Sequence, residues 1–240
     1  MTAAAVAARS ATAHDAWARR LHVLLGVQSA ILVLASVNRL WDGTDAEVLP
    51  DDALRVVDVV NLFVLVPASA LAFFLLLEHV LADVDRRSRL RLRVGFVAAL
   101  YLFAASYGMH EPADSLHARF CDGSSSAACD AIAYQDDGLS HGLYFAGLLG
   151  INAVLLFAQS AATSARGFDR RVVLANAALV ALAIAANLGF EDVGLDLLVV
   201  AAVATLALVL LRRSGPRALT VYFAVAYGAG LVLAVAAQAA

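Results

Sequence analysis

Apolar residues fall in seven long blocks along this chain, divided by short polar and charged connections. The blocks run from Leu21 to Val37, Val57 to Leu81, Val94 to Met109, Leu139 to Ala162, Val172 to Leu188, Val193 to Leu211 and Leu219 to Ala237. Each holds about 16–25 residues, close to what a helix needs to cross roughly 30 Å of hydrocarbon. The blocks are continuous and rich in alanine and leucine, without the period of two that lipid-facing strands show, so a β-barrel is excluded. The pattern predicts an all-α, polytopic membrane protein: a seven-transmembrane-helix bundle forming a single domain over residues 21–240, with residues 1–20 as a polar tail. That tail, "MTAAAVAARSATAHDAWARR", reads as a short interfacial helix with Trp17, Arg19 and Arg20 at the headgroups. The stretch "ASVNRL" is a poor cleavage site and the tail is long for a signal peptide, so the first block reads as a retained span.

Composition agrees with the pattern. The chain is 62% hydrophobic with a mean hydropathy of +0.80, against roughly 45–50% apolar in soluble domains. Charge adds the orientation. Arg9, Arg19 and Arg20 precede the first block, five arginines follow the second in "DVDRRSRLRLR", and three more follow each of the fourth and sixth. The other side carries only Arg39, Arg55 and Arg119 and is otherwise acidic, from Asp42, Asp45, Glu47, Asp51 and Asp52 to Asp122, Glu191 and Asp192. Basic residues stay cytoplasmic, so the N-terminus is expected inside and the C-terminus outside. These arginines anchor loops in the lipid bilayer and form no phosphate-binding patch, so nucleic-acid binding is not expected. All 17 basic residues are arginine, which fits GC-rich bacterial coding and a bacterial cytoplasmic membrane. With no lysine there is no retinal Schiff base and no phosphate-loop lysine.

Candidate chemistry collects on the acidic side. In "YGMHEPADSLHARFC", His110, Asp114 and His117 stand at i, i+4 and i+7, one face of a helix. Pro112 between them predicts either a kink or a new short helix capped by Glu111. In "YQDDGLSHGLYFAG", Asp137 and His141 are again four apart, with one of Asp136 and Asp137 expected as the N-cap of the fourth helix. Cys121 and Cys129 are the only cysteines and lie between these two stretches. A disulfide is the expected state on an oxidising face, with free thiols or metal ligation as the alternatives. The short connection makes the third and fourth spans a hairpin and brings their polar ends together. Three imidazoles and one or two carboxylates suit zinc, with iron or manganese behind it. The expected ligands are His110, His117, Asp137 and His141, with Asp114 as acid–base candidate and Asp136 or Glu111 as a further carboxylate. A metal-free polar pocket and a plain wetted loop remain the alternatives.

Elsewhere, Asp58 is expected to face protein with Arg55 or Arg39 as partner, and Asp196 to face protein or a water-filled cavity. Glu78 and His79 are expected to pair with Arg86 or Arg87. "GLSHG" matches a nucleophile-elbow pattern at Ser140, but it opens a membrane helix instead of following a strand, and Gly142, Gly147 and Gly150 read as packing positions.

The element Ser106-x3-His110 in "SYGMH", at the end of a membrane helix, resembles the Ser-x3-His element of the alkaline ceramidase and adiponectin-receptor-like superfamily of seven-helix membrane hydrolases. The resemblance implies zinc held by histidines and an aspartate, and carries over Ser106, His110 and one of Asp114 or Asp137. The sequence departs from that pattern in having no histidine after His141, in placing the element on the third span, and in placing it on the outer side. The leading expectation is a metal-dependent hydrolase acting on a lipid or amphiphile at the outer leaflet. The alternatives are a solute or cation carrier or sensor with an acidic outer pocket, and an accessory subunit that docks there.

Overall fold

In the computed structural model, residues 3–49, 54–121, 125–163, 167–188 and 194–239 are described, with backbone alone for residues 3–14. Asp51, Asp52, Asp122, Arg166, Glu191 and Asp192 lie outside the described residues, as do the side chains of Arg9 and His14. Seven helices carry the chain: α1 Ala3–Leu40, α2 Val56–Leu81, α3 Arg86–Phe120, α4 Ala127–Ala161, α5 Arg170–Leu188, α6 Leu195–Ser214 and α7 Ala218–Gln238. Each contains a stretch long and apolar enough to cross a membrane. The protein is a multi-pass, all-α membrane protein, with one small antiparallel ribbon, β1 Glu47–Leu49 against β2 Leu54–Arg55, between α1 and α2.

Three helix boundaries differ from the sequence reading, each for a local reason. The N-terminal tail is not a separate interfacial helix, because α1 runs unbroken from Ala3. Trp17 stacks on His79 of α2 with ring centroids 4.9 Å apart, and a ring nitrogen of His79 lies 3.1 Å from the Trp17 carbonyl oxygen. This contact ties α1 to α2. Helix α3 continues through Pro112 to Phe120. Proline lacks the N–H that would bond the carbonyl four residues earlier, but the helix neither ends nor restarts there, so Glu111 caps nothing. At about 1.5 Å per residue α3 is roughly 52 Å long and outreaches the hydrocarbon. Helix α4 starts well before Asp136: its N-cap is Ser126, whose hydroxyl accepts from the Cys129 amide at 3.2 Å. Asp136 and Asp137 are therefore interior positions and not caps.

The α3–α4 hairpin is closed at its tip by the disulfide Cys121–Cys129, with Cα atoms 5.4 Å apart. Its shaft packs through small residues. A Cβ on Gly147 would strike the backbone of Phe103 and Ala99, and one on Gly150 would lie 2.7 Å from the Ala99 methyl. Gly142 has open space around its Cβ position, so of the three glycines only two permit close approach. Gly230 of α7 meets Ile184 of α5 in the same way, at 2.8 Å. Lipid tails are as apolar as leucine, so helices gain little from burying apolar surface; close backbone packing supplies the attraction instead. Around these contacts Leu21, Leu25, Leu77, Ile151, Leu155 and Leu219 are fully enclosed.

The end of the bundle bearing the arginine-rich loops is tied by ion pairs and carbonyl contacts. Glu78 takes both branches of the Arg93 guanidinium at 2.7 and 2.5 Å, so its partner is Arg93 and not Arg86 or Arg87. Arg217 donates to the carbonyls of Gln159 and Ala162 at 2.6 and 2.7 Å. Gly215, at φ +75°, makes the left-handed turn between α6 and α7 that a residue with a Cβ would resist.

Candidate functional site

The acidic end of the bundle is built where α1, α2 and the α3–α4 hairpin meet. Antiparallel pairing sets the register: once Gly147 lies on Phe103, about two turns further along puts His110 beside His141, with ring centroids 5.3 Å apart. Beyond them Tyr134–Ser140 is wound as a π-helix. Such a turn holds an extra residue and re-aims the side chains on it. Here Asp136 is turned inward, 3% exposed, while its neighbour Asp137 stays exposed. The Ser140 hydroxyl donates to the Asp136 carbonyl within this turn.

Asp136 is the residue on which the hairpin histidines converge. Its Oδ1 lies 2.8 Å from Nδ1 of His110, and its Oδ2 lies 3.8 Å from Nδ1 of His117. The first contact is close but off the angle of a directional hydrogen bond, and neither Oδ1 of Asp136 nor Nδ1 of His110 has a hydrogen-bond partner. The imidazoles of His110 and His117 are about a third or more exposed, at 35% and 40% of their side-chain surface, so the buried carboxylate is reached from water through them.

On the flank facing α2, Arg55 gathers two acids. Its Nη2 lies 2.6 Å from Asp114 Oδ2 and 3.5 Å from Asp58 Oδ1, and its amide donates to Asp58 Oδ2 at 2.7 Å. Partial burial works against the charge on Arg55, but Asp58 and Asp114 more than offset it and hold the guanidinium above its ordinary range. The expected Arg55–Asp58 pair is present, and Asp114, the acid–base candidate, is engaged in an ion pair. Next to it, Asn38 donates to Asn61 Oδ1 at 2.9 Å, and Asn61 donates to Glu111 Oε1 at 3.2 Å. Asn61 opens a second π-helical segment, Asn61–Leu65, so both π segments among the described residues border this cluster.

Below the polar layer the site has an aromatic floor. Tyr107 meets Tyr144 at 5.8 Å, Tyr144 meets Phe145 at 5.4 Å, and Phe145 meets His141 at 6.3 Å. A groove of about 350 Å³, lined among others by Gly108, Met109, Pro112 and Gln135, lies between α3 and α4 without any of these rings in its lining.

The structure thus brings His110, His117 and His141 to one end of one hairpin. Among the described residues, no group of three His, Cys, Asp or Glu side chains is arranged to hold a metal ion. Ser106 is buried and its hydroxyl donates to the Phe103 carbonyl at 2.7 Å. Asp196 caps its own helix by accepting from the amides of Gly194 and Leu197. The central place of Asp136 and the aromatic floor are what sequence reasoning missed. The floor had a signal: Tyr107 stands three residues before His110, and Tyr144 and Phe145 stand three and four after His141, the spacing of one helix face. Asp136 stood in the sequence reading as a further carboxylate able to hold a histidine, and it is the π turn that directs it inward to His110 and His117. No family model, no curated protein and no solved structure matches this chain.

Proposed function

We propose that this is a non-enzymatic membrane protein that takes up a small organic ammonium ion at its acidic end, the end that the arginine asymmetry assigns to the outer face. The observation that carries this reading is a buried carboxylate beside a run of rings: Asp136 Oδ1 lies 2.8 Å from Nδ1 of His110, whose ring lies 5.3 Å from that of His141, which in turn meets Phe145 at 6.3 Å. An alkylammonium needs an anionic acceptor and ring faces within about 6 Å, and it needs no third ligand. The carboxylate supplies long-range attraction and the rings reward the cation's apolar surface. Oδ1 of Asp136, which has no hydrogen bond of its own, is the acceptor once the His110 ring swings aside.

A zinc-dependent hydrolase of lipids or amphiphiles uses the same histidines differently. It needs His110, His117 and His141 with Asp136 or Asp137 to close on one ion, leaving an open position for water. Its support is the 5.3 Å separation of the His110 and His141 rings.

The test is thermal unfolding of the full chain in nanodiscs with choline, sodium or zinc, beside elemental analysis of the purified protein. Choline is expected to raise Tm, and the rise is expected to shrink in Asp136→Asn and Asp137→Asn. No response to choline, together with about one equivalent of zinc that is lost in the His110→Ala/His141→Ala double variant, replaces this reading with the metal one.

A further inference from the structure

Far from the acidic end, a second polar group is enclosed at the middle of the bundle. Gln28 of α1 and Asn152 of α4 are 2% and 0% exposed. Both line a small cavity of about 10 Å³, together with Tyr222 and Tyr227 of α7 and the apolar side chains of Phe73 and Leu76. Their amide nitrogens are engaged. Gln28 Nε2 reaches the Ser69 hydroxyl at 3.4 Å, and Asn152 Nδ2 donates to the Leu148 carbonyl at 2.8 Å and to the Tyr227 hydroxyl oxygen at 2.9 Å. Their amide oxygens are not engaged: Oε1 of Gln28 and Oδ1 of Asn152 are both buried with no hydrogen-bond partner.

An unpaired amide oxygen in an apolar interior forfeits its hydration with nothing in return. Two such oxygens on one cavity, each from a side chain that is otherwise satisfied, need a donor. The Tyr227 oxygen accepts from Asn152, which leaves its own O–H free to donate. The missing ligand therefore donates twice and accepts once. Its volume is limited to about one water-sized probe, the smallest space that holds a water. Charge decides the rest. No carboxylate lines the cavity, and a cation at mid-membrane without an anion is costly. A neutral donor–acceptor fits where sodium or ammonium does not.

We propose that one water molecule is bound at the centre of the bundle, donating to Gln28 Oε1 and Asn152 Oδ1 and accepting from Tyr227. It joins α1, α4 and α7, of which α1 and α7 are already linked at this level by Ser29 and Tyr222, with oxygens 3.1 Å apart. A bridging water serves nearly as well as a direct hydrogen bond, and it lets three helices meet at a polar point without the precise length match a direct contact demands.

The test is a structure of the full chain in nanodiscs at a resolution that shows ordered water. A peak within hydrogen-bonding distance of both amide oxygens is expected. A dry cavity, or amides rotated so that they pair with each other, overturns the proposal. Thermal unfolding gives a second reading. Gln28→Leu and Asn152→Leu are each expected to lower Tm, and the double variant to lower it by less than the sum, because the first change already strands the water. Strict additivity of the two shifts overturns it. Exchanging sodium for potassium is expected to leave Tm unchanged, and a drop on losing sodium would make the ligand a cation.

Discussion

The α3–α4 hairpin and the α5–α7 half of the molecule cross the same membrane by different means. Helices α5–α7 are held by alanine, valine and leucine and by a few neutral hydrogen bonds, such as Asn187 to the Ser36 hydroxyl at 2.7 Å and Gln238 to the Leu188 carbonyl at 2.9 Å. The hairpin and α2 add ionisable groups, two π-helical segments, a disulfide and three buried carboxylates, Asp58, Glu111 and Asp136. The α5–α7 half crosses the membrane on apolar packing and a few hydrogen bonds, with no buried carboxylate among its described residues. Polar groups that cost free energy to bring near the hydrocarbon then call for another reason, and ionisable ones point to function. The contrast supports the proposed site where α2, α3 and α4 meet, with α5–α7 packed beside it.

The difference can be broken most severely by removing the packing that sets the hairpin register. Gly147→Leu forces a side chain into the backbone of Phe103 and Ala99. It is expected to abolish a monodisperse folded peak in size-exclusion chromatography, whereas Gly142→Leu, facing open space, is expected to leave the peak intact. Opening the disulfide comes next. Closing so short a loop is worth about 2.5 kcal/mol by chain entropy, so Cys121→Ser/Cys129→Ser is expected to lower Tm by several degrees. The wild type alone should shift on a gel when reduced. Arg55→Met leaves Asp58, 4% exposed, without its guanidinium. Removing one member of a fully buried pair costs about 3–5 kcal/mol. Arg55 is a third exposed, and solvent screening brings the expected loss nearer 1–2 kcal/mol, readable as a Tm shift that Asp58→Asn in the same chain partly restores. The smallest effect is expected at the opposite end. Glu78→Gln removes a bidentate contact to Arg93, but both groups are solvent-accessible. A Tm change as large as that of Arg55→Met would mean that the two ends are not as different as drawn here.

Much of the fold was legible in the sequence, and less of the site. The seven apolar blocks match seven helices because a spanning segment has to be helical and long enough, and hydropathy reads both requirements. The boundaries failed where polar residues continue a helix beyond the hydrocarbon. Arg86–Arg93, His110–Phe120 and Ala127–Gly138 fall outside the apolar blocks, yet they extend α3 and α4. Pro112 reads as either a kink or the start of a new helix, and of these the restart does not occur. Within the site, the grouping of His110, His117 and His141 followed from a short connection between two spans, and the Cys121–Cys129 bridge from their being the only two cysteines on that loop.

By itself the sequence determined that this chain lives in a bilayer, crosses it seven times as helices and gathers three of its six histidines beside several acids at one end. Those properties depend on composition and spacing along one dimension, through the cost of placing a peptide group or a charge in hydrocarbon. Tertiary structure alone decided which acid the histidines meet, that Arg55 collects Asp58 and Asp114, and that Gln28 and Asn152 share a cavity 124 positions apart in the chain. These depend on helix rotation and on a π turn of seven residues, set by how small residues let backbones approach, and no local pattern in the sequence encodes the angle at which a side chain arrives.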